Sequence, residues 1–130
     1  MKDCQVLVVH DDDDLREVLV ETLREHGFPV EQADDGDQAL QKIKGGYRPD
    51  IILTDLVMPV MDGYQLNQEL KRHPTWASIP LIIMTGLNPV PAGLADLEAV
   101  LQIPIDFAKL LERVRSACAR KTASASAGAS

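Results

Sequence analysis

Ile51-Ile52-Leu53-Thr54-Asp55 is an apolar, β-branched-rich run that ends in an acid. Consecutive apolar positions of this kind suit a strand buried on both faces, as in a parallel sheet covered by helices. Val6-Leu7-Val8-Val9 and Leu81-Ile82-Ile83-Met84 repeat the pattern. Val30 to Ala33 is a weaker strand, and Val100-Leu101-Gln102 a short fifth one. Between them the apolar period changes to that of helices. From Asp14 it runs through Leu15, Val18, Leu19 and Leu23 to a stop at Gly27, with Asp14 and Glu17 spaced as a capping box. Asp34-Asp35-Gly36-Asp37 turns the chain into a second helix carrying Ala39, Leu40 and Ile43, which ends at Gly45-Gly46. A third helix carries Tyr64, Leu66 and Leu70 and must finish before Pro74. Pro89, Pro91 and Gly93 crowd the segment after strand four, so the helix expected near 94–99 is short or irregular. Asp106 caps a last helix through Leu110, Leu111 and Val114.

Five strands alternating with helices predict an α/β fold, a three-layer doubly wound (βα)5 arrangement around a five-stranded parallel sheet. In such sheets the working site lies beyond the carboxyl ends of the strands. That rule selects His10, Asp11 and Asp12 after strand one, Asp55 at the end of strand three, Thr85 at the end of strand four, and Ile103-Pro104 after strand five.

The chain has 130 residues, enough for one domain with a real core, and a formal net charge of −7. That charge opposes unaided binding to nucleic acid or anionic lipid. No apolar run approaches the ~20 residues of a membrane span. Cys4 and Cys118 sit near opposite ends, which is neither a disulfide framework nor a metal spacing, so reduced thiols in the cytoplasm are expected. Residues 122–130 contain only Thr, Ala, Ser and Gly and read as a flexible tail or the start of a linker, leaving 1–121 as the domain.

If strands one and three are neighbours, Asp11 and Asp55 face each other. Two close carboxylates repel and raise each other's pKa unless a cation lies between them. Mg²⁺ suits such a pair, since it takes one or two carboxylates together with waters and a phosphate. A Thr85 hydroxyl could donate to a phosphoryl oxygen. The chemistry favoured is phosphoryl transfer with one carboxylate as nucleophile. Neither a Gly-rich turn nor a phosphate loop follows strand one, which disfavours a nucleotide- or flavin-binding enzyme. Asp13 and Asp14 read as helix N-terminal acids, and Asp12 stays open between the two roles.

The segment from Thr54 to Gly63, Thr-Asp-Leu-Val-Met-Pro-Val-Met-Asp-Gly, resembles the phosphoacceptor segment of response-regulator receiver domains. Val6 to Asp12 with Arg16 resembles their first strand and acidic loop, and Met84-Thr85-Gly86 the hydroxyl-bearing end of their fourth strand. The resemblance covers roughly residues 4 to 117 and implies the flavodoxin-like strand order 2-1-3-4-5. It implies that Asp55 accepts a phosphoryl group from a histidine kinase or phosphotransfer protein, and that the state is read by an output domain or partner protein. Homodimerisation is a further option. Asp11, Asp55 and the backbone carbonyl of Val57 would hold Mg²⁺, with Mn²⁺ as an alternative and His10 or Asp12 as additional ligands; Thr85 would contact the phosphoryl group. Such a domain is not an enzyme beyond assisting its own phosphotransfer and dephosphorylation, and it does not bind nucleic acid directly.

Three positions depart from that family. His10 takes the place of the first of two adjacent acids, Ile103 the place of a lysine, and Val100 the place of an aromatic residue. These departures raise the alternative of a pseudo-receiver, a phosphorylation-independent protein-interaction module. Intact Asp11, Asp55 and Thr85 favour the phosphoacceptor.

Overall fold

The computed structural model describes residues 4–86, 99–103 and 105–129. Its elements are β1 (Val6–Val9), α1 (Asp13–Glu25), β2 (Val30–Ala33), α2 (Gly36–Lys44), β3 (Ile51–Asp55), α3 (Gly63–Lys71), β4 (Leu81–Thr85), β5 (Ala99–Gln102) and α4 (Phe107–Ala129). The expected helix near 94–99 falls almost entirely outside the described residues, as does Pro104.

The strands pair in parallel in the order β2-β1-β3-β4, with β5 beside β4. Alternation along each strand sends side chains to opposite faces, and both faces are dry. Leu7, Val9, Ile52 and Ile83 pack with Ala39, Leu40 and Ile43 of α2 and Leu66 and Leu70 of α3. Val6, Val8, Ile51, Leu53, Ile82 and Met84 pack with Leu19 and Leu23 of α1 and Leu110 and Val114 of α4. Burying a Val, Leu or Ile side chain contributes about 1.5–3 kcal/mol, so continuous apolar strands are stable only with helices on both sides.

The helix ends correct one expectation. Asp12, rather than Asp14, is the N-cap of α1, and its Oδ1 accepts from the Leu15 N–H at 3.1 Å. Glu17 therefore lies outside a capping box; the position three residues into this helix is Leu15. A capping box occurs instead at α3, where Asp62 and Gln65 exchange side-chain and backbone bonds. Asp106 caps α4 as expected, accepting from the Ala108 N–H at 3.0 Å.

One further expectation changes, and α4 runs on past its apolar pattern. The backbone of the Ala/Ser-rich segment continues α4 helically to Ala129. Alanine is the strongest helix former, and no proline interrupts a helix already nucleated on the core. Cys4 and Cys118, expected as separate thiols, are joined by a disulfide across 114 residues of sequence, with their Cα atoms 5.9 Å apart. The lead into β1 and the fourth turn of α4 meet on the same face of the sheet, where both cysteines pack against that face's apolar cluster.

Candidate phosphoacceptor site

Register places the site. Val9 pairs with Thr54, so the next residues on these strands, His10 and Asp55, emerge side by side. Asp55 pairs with Met84, which puts Thr85 one residue further along β4, buried at its carboxyl end. The Ile103 N–H donates to the Thr85 carbonyl at 2.8 Å, so the position of the family's lysine lies directly beyond this strand end, occupied by an apolar side chain.

His10, Asp11 and Asp55 each offer a ligand atom within 4.8 Å of the others. The His10 Nε2 lies 3.5 Å from Asp55 Oδ2, and its Nδ1 lies 3.6 Å from Asp11 Oδ1. His10 is buried, Asp55 largely so, and Asp11 opens toward solvent. Burial pushes the Asp55 carboxyl above its ordinary range. His10 and the Leu56 N–H pull it back, Asp11 pushes it further up, and the Val57 N–H again opposes the rise. The Leu56 N–H donates to Asp55 Oδ1 at 2.9 Å, which orients the carboxylate and leaves Oδ2 toward His10.

Asp12 turns away from this cluster to cap α1. Arg16 reaches back from the first turn of that helix. Its Nη1 donates to the His10 carbonyl at 2.7 Å, its Nε donates to Gln32 Oε1 at 3.1 Å, and its remaining nitrogen pairs with Asp13. The guanidinium thus pins the loop that carries His10 and Asp11. Neither this clamp nor the backbone N–H groups on Asp55 could be assigned from the one-dimensional pattern, because each depends on the path of a loop.

The loop after Asp55 returns along a close approach. The Gly63 N–H donates to the Leu56 carbonyl at 2.9 Å, and a Cβ at Gly63 would stand 2.6 Å from the Asp55 carbonyl oxygen. Within the loop, the Met61 N–H reaches the Pro59 carbonyl at 2.7 Å around Val60, whose φ is +67°. That is a tight γ-type turn with a β-branched residue in a left-handed conformation.

A three-layer parallel fold with an acid pair at the carboxyl ends of β1 and β3 belongs to the doubly wound class. The family model for the response regulator receiver domain matches residues 6–115, and the chain belongs to that family. Response regulator MprA of Mycolicibacterium vanbaalenii is 35% identical over 130 residues, covering 97% of this chain and 55% of the relative. MprA of Mycobacterium bovis is 35% identical over 116 residues, covering 86% of this chain and 49% of its own length. The chain therefore spans about half the length of these curated relatives. A response regulator structure from Chloroflexus aurantiacus superposes with a TM-score of 0.83 at 31% identity, over 91% of this chain and 99% of that one. The chemotaxis response regulator CheY4 of Vibrio cholerae gives 0.77 at 28% identity, over 87% and 99%. No helix among the described residues is long and apolar enough to cross a membrane.

Proposed function

We propose that this chain is the phosphoacceptor receiver domain of a two-component phosphorelay, taking a phosphoryl group on Asp55. The observation that carries the reading is the convergence of His10, Asp11 and Asp55 beyond β1 and β3. The donor is a phosphohistidine on a histidine kinase or phosphotransfer protein. Its P–N bond breaks, the electron pair leaves with the imidazole, which takes up a proton, and a P–O bond forms at an Asp55 carboxylate oxygen.

The donor set fits a divalent cation. Asp11 and Asp55 bring two carboxylates together, and among the described residues no Lys or Arg pairs with either. Asp11, Asp55 and the Val57 carbonyl would hold Mg²⁺, or Mn²⁺ in its place. When bound, the cation offsets the negative charge shared by the carboxylates and the phosphoryl oxygens. The chain's own part is to orient Asp55 through the Leu56 N–H, to hold the acidic loop through Arg16, and to present the Thr85 hydroxyl to the phosphoryl group.

The domain spans residues 1–121 of a cytoplasmic signalling protein, and residues 122–130 lead away from it. It completes the (βα)5 plan with a five-stranded sheet in the order 2-1-3-4-5. Its phosphorylation state is read by an output domain or partner protein. The Asp11–Asp55 pair, with Asp55 oriented by the Leu56 N–H, favours this reading over a phosphorylation-independent interaction module.

Incubation with phosphoramidate and Mg²⁺, followed by intact mass, tests the proposal. One added phosphoryl group, lost in Asp55→Asn, is expected. An unmodified protein under conditions that label an ordinary receiver would overturn it.

A further inference from the structure

We propose that His10 is a catalytic hydrogen-bond donor of this site, presenting its Nε2–H to the phosphoryl group on Asp55 rather than ligating the cation. The inference rests on the phosphoacceptor reading above and assigns one of its residues.

The tautomer follows from the backbone. The Asp12 N–H donates to His10 Nδ1 at 3.0 Å. A nitrogen that accepts an N–H presents its lone pair, so in the neutral ring the proton sits on Nε2. Ligation of a cation through Nε2 would need that lone pair there and the proton on Nδ1. The Nδ1 proton would then confront the Asp12 N–H, a donor meeting a donor. Asp12 cannot easily yield, because its carboxylate caps α1 and its carbonyl accepts from the Arg16 N–H at 2.9 Å. On the other side, the His10 N–H and carbonyl are held by the Ala33 carbonyl and the Arg16 guanidinium. The backbone on both sides of the imidazole is therefore anchored independently of Asp55.

The Nε2–H is buried, with no hydrogen-bond partner among the described residues. It faces Asp55 Oδ2 at 3.5 Å, longer than an ordinary N–H···O bond. An orphaned buried donor is costly, and a catalytic role is one of the few reasons for keeping such a group. A phosphoryl group joined at Asp55 Oδ2, the oxygen this donor faces, would bring further acceptor oxygens to its side. The bond is then made in the transition state and product but not with the free carboxylate, which is the condition for a contact to accelerate the reaction. The step balances without proton transfer to or from His10. The phosphodonor's bond to phosphorus breaks with its electron pair, a P–O bond forms at Asp55, and Nε2 keeps its hydrogen.

The test has two arms. The ¹⁵N imidazole shifts of the unmodified protein should report His10 in the Nε2–H form; the Nδ1–H form would overturn the proposal whatever the protein's reactivity. The second arm compares wild type, His10→Leu and His10→Gln, each checked for native circular dichroism, for the rate of Asp55 phosphorylation by phosphoramidate and for Mg²⁺ affinity. Glutamine carries an amide N–H close to the place of Nε2. His10→Leu should slow phosphorylation about tenfold to a hundredfold, the range for losing a hydrogen bond to a charged group, and His10→Gln should recover most of that loss. Mg²⁺ affinity should stay within about twofold across the three, as expected of a donor that is not a ligand. A Leu variant at the wild-type rate, Leu and Gln variants equally slow, or a common loss of Mg²⁺ affinity would each overturn the proposal. Wild-type protein in the Nε2–H form that takes no phosphoryl group would instead overturn the phosphoacceptor reading, and the donor role with it.

Discussion

Gly63 opens α3 directly against Asp55: a Cβ at Gly63 would stand 2.6 Å from the Asp55 carbonyl oxygen and 3.3 Å from Leu56 Cα. The start of the helix and the Asp55 backbone are therefore one packed unit. Gly63→Ala should force the loop away from Asp55 and destabilise the fold by about 1–3 kcal/mol, the usual cost of overpacking a fixed backbone. Urea denaturation reads the change; a wild-type midpoint would show that the two segments can separate freely.

Asp11 is the open wall of the acidic cluster, and its carboxylate has no ion-pair partner besides His10 among the described residues. Asp11→Asn should weaken Mg²⁺ binding by roughly tenfold to a hundredfold while leaving the thermal midpoint of the metal-free protein nearly unchanged. Isothermal titration calorimetry measures the first and a melting curve the second. Equal Mg²⁺ affinity in both proteins would remove Asp11 from the cation site.

The raised Asp55 carboxyl makes stability depend on pH. Its ordinary value is 3.8, and burial lifts it in the folded protein. Below 3.8 the group is protonated in both states and costs nothing. As pH rises through the folded value, ionising a buried carboxylate takes stability away. In chelator-containing buffer Asp55→Asn should therefore be more stable than wild type at pH 7, with the gain shrinking to nothing below pH 3.8. Paired melting curves across that range give the answer, and a gain that grew toward acid pH would reverse the sign.

Val60 holds a φ of +67° with its side chain 80% exposed, so it gives up conformational energy without packing in return. Glycine adopts positive φ without a Cβ clash. Val60→Gly should stabilise the domain by roughly 0.5–1 kcal/mol. Denaturant titration checks it; destabilisation would mean that the valine side chain contributes contacts in solution.

The Cys4–Cys118 bond closes a long loop, which constrains the unfolded chain. Reduction, or Cys4→Ser, should lower stability by about 2–4 kcal/mol. Thiol titration of the air-oxidised protein should find no free cysteine. In a reducing compartment the pair would stand as thiols, and the reduced protein's stability is then the relevant one. Equal urea midpoints with and without reductant would show that the bond adds nothing.

Much of this molecule follows from local pattern. The all-apolar runs at Val6, Ile51 and Leu81 announce strands buried on both faces, because only a covered parallel sheet can dry both sides of consecutive residues. Asp55, ending such a run, marks the functional end of the sheet, and the segment from Thr54 to Gly63 carries the family. Glycine stops and aspartate caps bound the helices, although the choice of Asp12 over Asp14 needed the loop's path. Tertiary structure decided what depends on chain segments meeting. The register Val9 to Thr54 puts His10 beside Asp55. The Asp12 N–H on Nδ1 chooses the face of the imidazole that meets the acid, and no spacing rule encodes it. The packing of α4 against the sheet brings Cys118 to Cys4, a pairing hidden at 114 residues' separation. Periodicity reports which faces are buried, whereas hydrogen-bond partners and long-range pairings depend on distances that exist only once the chain has folded.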